Sequence, residues 1–204
     1  WVNDYTLFEH AHRIAPENIL AKCNYAVELA RNGENGAGLL MLQSLVEEHP
    51  SYFLANYNLG RLLYESNLLA PAYHYLQQAR TLLPDMPDTY LQLGLVCMKT
   101  GRPDEALSHF QRAEAIRPTD AKIHFALGAV WSNRKDCTRA RAEFTEALTL
   151  DPSLVKAKQQ MDKCAVVAEA DQDGQTAGVE QADGPRATPL SRTSHGTLAP
   201  VREH

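Results

Sequence analysis

The sequence predicts an all-α solenoid of stacked helix-turn-helix units, and three observations carry that prediction. Proline recurs with a period of 34 residues, at Pro16, Pro50, Pro84, Pro118 and Pro152. Leu-Gly pairs keep the same period at residues 59–60, 93–94 and 127–128. Within each period the apolar residues follow the spacing of one helix face. A fixed period of this length is typical of a chain that stacks one structural unit on the next.

The first predicted helix of each unit is clearest in residues 87–120. Tyr90, Leu93 and Cys97 lie three or four residues apart and so share one face. Gly94 lies on that face, although glycine inside a helix costs about 1 kcal/mol relative to alanine. We therefore expect Gly94 to mark a close approach of the second helix, with the recurring alanines of that helix opposite it.

The second predicted helix of the same unit carries Ala106, Phe110 and Ala113 at helical spacing. The turn before it contains Gly101, which tolerates the left-handed conformation, and Pro103, which suits a first helical turn. The period proline follows this helix and ends it, because proline has no amide hydrogen to donate.

Composition excludes several classes of protein. The chain has 204 residues, of which 44% are hydrophobic and 22% charged, as in an ordinary soluble domain with a tail. A net charge of −5 disfavours nucleic acid as a partner. No apolar run approaches the roughly 18 residues of a spanning helix, so we expect no membrane insertion by this segment.

The sequence lacks the common motifs of catalysis and metal binding. The four cysteines form no CxxC pair, and the eight histidines form no HExxH motif. The sequence also shows no phosphate-binding glycine loop and no nucleophile elbow. We therefore predict a protein that is not an enzyme and assign it no catalytic residue, cofactor or metal from sequence.

The repeat resembles the tetratricopeptide repeat (TPR) family. That family favours Leu, Gly, Ala, Phe, Ala and Pro at positions 7, 8, 20, 24, 27 and 32 of a unit. Residues 87–120 and 121–154 match all six positions, and residues 53–86 match five, with Leu76 in place of phenylalanine. Residues 19–52 are degenerate, because Tyr25-Ala26 replaces Leu-Gly and Gly38 replaces the first alanine. The resemblance implies a right-handed superhelical solenoid that binds proteins or peptides on its concave face.

The ends of the chain are predicted separately. Residues 1–18 contain a second helix without its first, aligned by Phe8, Ala11 and Pro16, and so form a partial repeat. Four repeats follow, at 19–52, 53–86, 87–120 and 121–154. Residues 155–170 are predicted to form a capping helix, with helical spacing in Val155, Met161 and Ala165. Residues 171–204 are rich in small and polar residues and are predicted to be disordered.

A second resemblance concerns the N-terminus. The string from Trp1 to Ala11, followed by Pro16 and Asn18, is similar to the junction after the last membrane helix in transmembrane TPR O-mannosyltransferase-like proteins. That resemblance implies an extracytoplasmic arm, tethered to a membrane through upstream sequence and serving a catalytic domain there. An arbitrary truncation or an N-terminal cap remains an alternative.

Candidate partner-binding residues come from the positions that the family turns inward, which are 2, 5, 9, 12 and 13. The eight chosen residues are Tyr57, Arg61, Tyr64, Leu91, Leu95, Met98, Lys122 and Phe125. Position 5 holds Tyr57, Leu91 and Phe125, which predicts an apolar and aromatic strip along the concave face. The alternative is that these side chains only pack between helices, as we expect for Leu59, Leu93, Leu127, Phe110 and Phe144.

The function predicted from sequence is a protein–protein interaction scaffold that binds a peptide or protein segment in its concave groove. The alternative is the regulatory or substrate-presenting arm of a membrane glycosyltransferase-like protein. A cytoplasmic co-chaperone is disfavoured, since only Asn58 in one register and only Lys122 in the next fit the family's clamp for a terminal carboxylate. The sequence assigns no oligomeric state.

Overall fold

The computed structural model describes residues 4–164, and these fold as helices without a strand. The helices are α1 (Asp4–Ile14), α2 (Ile19–Arg31), α3 (Asn35–Glu48), α4 (Phe53–Glu65), α5 (Leu69–Leu82), α6 (Pro87–Lys99), α7 (Pro103–Ile116), α8 (Ala121–Asn133) and α9 (Cys137–Leu150). A further helix, α10, covers 155–164. The all-helical fold class predicted from sequence is confirmed. The predicted tail (171–204), the end of the predicted capping helix (165–170) and residues 1–3 lie outside the described residues.

The helices pack in consecutive pairs. α2 packs on α3, α4 on α5, α6 on α7 and α8 on α9, and each pair stacks on the next. The first helices also contact one another directly, α2 with α4, α4 with α6 and α6 with α8. One side of the stack is therefore lined by first helices, as in the predicted solenoid.

The turn inside each pair repeats one backbone feature. Positive φ occurs at Gly33 (93°), Asn67 (61°), Gly101 (73°) and Lys135 (61°), which are 34 residues apart. Glycine adopts this conformation without cost, asparagine does so with little cost, and lysine is strained there. The backbone repeat is therefore more regular than the sequence repeat.

The glycine of each first helix lies against the large apolar residue of the second helix, not against the alanines. A Cβ atom built on Gly94 would lie 2.6 Å from Cδ1 of Phe110. The same atom on Gly60 would lie 2.7 Å from Cγ of Leu76. The close approach predicted from Gly94 is confirmed, but the expectation that alanines lie opposite is wrong, because the glycine leaves room for a ring or a branched side chain.

The degenerate first pair keeps a close approach between its helices through a different pair of positions. Ala26 occupies the glycine position of α2, and Gly38 occupies the first alanine position of α3. A Cβ atom on Gly38 would lie 2.5 Å from the carbonyl oxygen of Ala26. The small residue has moved from the first helix to the second, so the two helices still approach closely.

Contact with the partial repeat accounts for a second difference between the first pair and the other units, which is the tyrosine at the usual leucine position. Tyr25, which replaces the usual leucine, has its ring centroid 5.8 Å from that of Tyr5 and 5.4 Å from that of His12, both on α1. A hydrogen bond with Tyr5 is the main cause that raises the pKa of Tyr25 to about 12. α1 therefore packs on α2 through aromatic contacts rather than through the usual aliphatic core.

The buried face of α10 differs from the predicted one. Val155 is 64% exposed, whereas Ala157 and Cys164 are almost fully buried, and Met161 packs with them against the last pair. Of the predicted face, Val155 is exposed and Met161 packs inward, whereas Ala165 lies outside the described residues. Asp162 is exposed.

Candidate functional site

A cavity of about 510 Å³ lies on the side of the stack that carries the first helices. Its walls come from α2, α4, α6 and α8, and Asp4 and Phe8 of α1 add to the lining. We call this cavity the groove. Five helices from successive units contribute to it, so its shape depends on how the units stack.

Four of the eight residues predicted from sequence line the groove. They are Tyr57 and Arg61 of α4, Leu91 of α6 and Lys122 of α8. Leu91 is buried, Tyr57 and Arg61 are half-buried, and Lys122 is exposed. The groove thus combines an aromatic side chain with cationic ones.

The other four predicted residues do not line the groove. The ring of Tyr64 lies under the ammonium group of Lys99, with Nζ 4.4 Å from the ring centroid. Leu95 and Met98 pack against the buried core of α6, α7 and α8. The Phe125 ring has its centroid 5.8 Å from that of Phe144 and belongs to the core of the last pair.

Three amide side chains at one repeat position also line the groove. Asn24, Asn58 and Gln92 occupy position 6 of the first helices of three consecutive units. The recurrence of an amide every 34 residues was the sequence signal for them. The prediction from sequence missed these residues because position 6 is not among the inward positions on which it was based.

The amides are held by different neighbours. The side-chain amide of Asn58 donates to Sγ of Cys23 at 3.4 Å. The Gln92 side chain interacts with the Tyr57 hydroxyl, while its Oε1 atom is buried without a hydrogen-bond partner among the described residues. A buried amide oxygen without a partner costs free energy and is normally satisfied by water or a ligand.

Most charges beside the groove are paired. Arg61 donates to Glu65 at 2.8 Å, and Arg31 donates to Glu28 at 2.6 Å. The guanidinium group of Arg117 reaches Asp88 at 3.0 Å, and this contact is the main reason that the pKa of Arg117 is raised. The groove therefore has polar walls without a large field of one sign.

Tyr57 keeps its hydroxyl hydrogen at neutral pH. Its pKa is raised, first by burial and then by the negative charge of Asp88. A neutral phenol can both donate and accept a hydrogen bond, and its ring offers apolar area. Tyr57 is therefore suited to contact an apolar group and a polar group of one ligand.

Two family models match the chain. Residues 26–87 match the tetratricopeptide repeat, and residues 94–132 match the TPR repeat. The fold and the groove together define a helical-repeat scaffold of the class that takes part in protein–protein interaction. Residues 26–87 and 94–132 thus match models of the tetratricopeptide repeat, the family that the sequence resembles.

One curated relative is the peroxisomal targeting signal receptor of Eremothecium gossypii, which is 27% identical over 157 residues. The match covers 74% of this chain and 26% of the receptor. Anaphase-promoting complex subunit 3 of Schizosaccharomyces pombe is 39% identical over 59 residues, which are 29% of this chain and 9% of that protein. The chain thus spans only a small part of the length of either relative.

Solved structures share the fold. TTC0263, a thermophilic TPR protein in Thermus thermophilus, matches with a TM-score of 0.70 at 23% identity, over 79% of this chain and 89% of that one. YrrB, described as a TPR protein with an unusual peptide-binding site, matches with a TM-score of 0.62 at 22% identity, over 79% and 84% of the two chains. At these identities the likeness shows the fold alone. Among residues 4–164, no helix combines the length and the apolar character that crossing a bilayer requires.

Proposed function

We propose that the groove binds an extended segment of a partner protein. The observation that carries this proposal is the row of amides at Asn24, Asn58 and Gln92, one from each of three stacked units. Each side-chain amide offers both donors and an acceptor. An extended peptide offers N–H and C=O groups along its length, so a row of amides can bind its backbone with little dependence on sequence.

The side chains between the amides favour particular residues in the bound segment. Tyr57 and Leu91 give the groove an apolar surface at the repeat position next to the amides. Aromatic side chains are frequent energetic anchors at protein interfaces. Arg61 is already paired with Glu65, so Lys122 is the cation that favours an acidic residue nearby, and its effect should be sensitive to salt. The preferred segment is therefore extended, with spaced apolar residues and some acidic character.

The names of similar proteins support a peptide ligand. One curated relative is named as a receptor for a targeting signal, and one solved structure of the same fold is described as having a peptide-binding site. These likenesses support a peptide as the class of ligand.

Selection from a phage-displayed peptide library tests the proposal. We expect the chain to enrich peptides with spaced apolar residues, and we expect Asn58→Ala to weaken binding of the selected peptides. Gln111→Ala is the control, because Gln111 is exposed on α7 and does not line the groove. Enrichment that survives Asn58→Ala and Tyr57→Ala, but not Gln111→Ala, would place binding on another surface.

The predicted role as an arm of a membrane glycosyltransferase-like protein stays a prediction. Its supporting string begins at Trp1, and residues 1–3 lie outside the described residues. The upstream sequence tests it directly. A run of hydrophobic spans before Trp1 supports the membrane arm, and a soluble start removes it.

A further inference from the structure

Three helices bring one histidine and two glutamates together away from the groove. His124 lies in the first turn of α8, Glu114 lies near the end of α7 and Glu143 lies in α9. Nδ1 of His124 is 2.9 Å from Oε2 of Glu143 and 3.9 Å from Oε1 of Glu114. One ligand atom from each residue lies within 4.8 Å of the other two. His124 is only 7% exposed, whereas both carboxylates reach solvent.

The other ring nitrogen of His124 has a structural role. Nε2 lies 2.8 Å from the carbonyl oxygen of Pro118, and because a carbonyl only accepts, Nε2 carries the hydrogen. Asn56 makes the equivalent contact two units earlier, where its Nδ2 donates to the carbonyl oxygen of Pro50 at 2.9 Å. Both residues occupy position 4 of their units and are buried. Two of the four units thus share this contact to the period proline, and Nδ1 is what histidine adds to it.

Nδ1 of His124 faces two carboxylates, and an ionised carboxylate can only accept hydrogen bonds. In the neutral ring with hydrogen on Nε2, Nδ1 presents a lone pair toward the carboxylates of Glu143 and Glu114, and that arrangement is repulsive. A proton or a metal ion must lie between them. Burial disfavours the protonated ring, but the contacts with Glu143 and Pro118 and the two negative charges outweigh it and raise the pKa of His124. The surroundings thus favour a positive charge beside Nδ1.

We propose that His124, Glu143 and Glu114 bind a divalent transition metal ion, Zn²⁺ by preference. A protonated ring leaves one negative charge on the cluster, whereas a divalent ion with a neutral ring balances both carboxylates. One imidazole and two carboxylates with an open position for water is a donor set that suits zinc. A hydrogen bond from the second ring nitrogen to a backbone carbonyl is the usual way that a ligating histidine is oriented.

The bound ion would join two units. Glu114 belongs to the third pair of helices, and His124 and Glu143 belong to the fourth. In a repeat array each unit is stabilised by contact with its neighbours. Zinc binding is therefore expected to stabilise the stack of α7 on α8 and α9, without contact with the groove.

Calorimetric titration of the full chain with Zn²⁺ at pH 7.5 tests the site. We expect one ion per chain, a higher Tm with zinc, and an affinity at least about tenfold weaker in His124→Asn. Asparagine is the matched replacement, because Asn56 makes the backbone contact at the same repeat position. Glu143→Gln is the second variant, and it should also weaken binding without removing a hydrogen-bonding side chain.

Control variants test whether zinc binds to side chains outside the cluster of His124, Glu143 and Glu114. His49→Asn replaces an exposed histidine elsewhere, and Cys137→Ser replaces the most accessible of the described cysteines; neither change should alter binding. Co²⁺ should bind without the charge-transfer absorption of a thiolate ligand. Undiminished zinc binding in His124→Asn and Glu143→Gln would overturn the proposal. The absence of saturable zinc binding would also overturn the proposal. An equal response to Mg²⁺, or a thiolate absorption band with Co²⁺, would overturn it as well.

Discussion

Gly94 of α6 and Phe110 of α7 fill one space between them. A Cβ atom on Gly94 would overlap the Phe110 ring, lying 2.6 Å from its Cδ1 atom, and Phe110 is fully buried. Gly128 and Phe144 show the same relationship one unit later, with the same 2.6 Å separation. The distance between the two helices of a unit is therefore set by the absence of a side chain at one position.

Substituting Gly94 with leucine should destabilise the chain strongly. Overpacking a core typically costs about 1–3 kcal/mol, and here the neighbour is a ring with no free space. Gly36→Ala is the matched control, because a Cβ atom there has no neighbour within 4 Å. Urea unfolding measures both. If Gly94→Leu unfolds like wild type, the contact with Phe110 does not set the helix spacing.

Replacing Lys135 by glycine should stabilise the chain. Lys135 has φ of 61°, at the turn position where the first and third units have glycine. The left-handed conformation costs roughly 1 kcal/mol for an ordinary residue, and glycine removes that cost. The midpoint of thermal unfolding should rise. Asn67→Gly should give a smaller gain, since asparagine tolerates this conformation, and a fall in stability for Lys135→Gly would contradict the expected strain.

His109 should make stability depend on pH. Burial first, and then the positive charge of Arg80, lower the pKa of its ring, which packs beside Tyr90 with ring centroids 6.2 Å apart. The unfolded chain binds a proton near the ordinary value of 6.5, whereas the folded chain resists it. Stability from this residue is present above that value and is lost as the pH falls below it.

The measurement for His109 compares wild type with His109→Gln. The free energy of unfolding should fall less between pH 7.5 and pH 5 in the variant, because glutamine does not titrate. An equal fall in both proteins would show that other groups carry the dependence.

Tyr57→Ala and Phe125→Ala should separate binding from stability. Tyr57 lines the groove, so its loss should weaken peptide binding, commonly by about 2 kcal/mol for an aromatic anchor, and preserve helix content. Phe125 packs on Phe144, so its loss should create a cavity in the core and lower the Tm. Circular dichroism and calorimetric titration distinguish the two effects. Normal binding in Tyr57→Ala with its helices intact would remove Tyr57 from the site.

The 34-residue period predicted the fold because each unit buries apolar residues at the same repeat positions. The predicted core residues Leu59, Leu93, Leu127, Phe110 and Phe144 are all buried. The exchange of Ala26 and Gly38 could not be predicted, since a pattern read at fixed positions treats it as two mismatches. The close approach of the two helices is kept, because Gly38 lies against the backbone of Ala26.

The groove was only partly predictable. Tyr57 and Phe125 occupy the same repeat position, yet one lines the groove and the other packs on Phe144, because the neighbours of each unit differ. The cluster at His124 combines repeat positions 4, 23 and 28, and no single helix face links them. Only the stacking of α7, α8 and α9 brings Glu114 and Glu143 to that histidine.

The central claim is that peptides bind in the groove, and site-specific photo-cross-linking tests it most directly. A photoreactive amino acid is placed at Arg61, which lines the groove, or at Gln111, which is exposed on α7. With a library-selected peptide, we predict cross-linking from position 61, competition by unlabelled peptide, and none from position 111. Competed cross-linking from position 111 and none from position 61 would contradict the account.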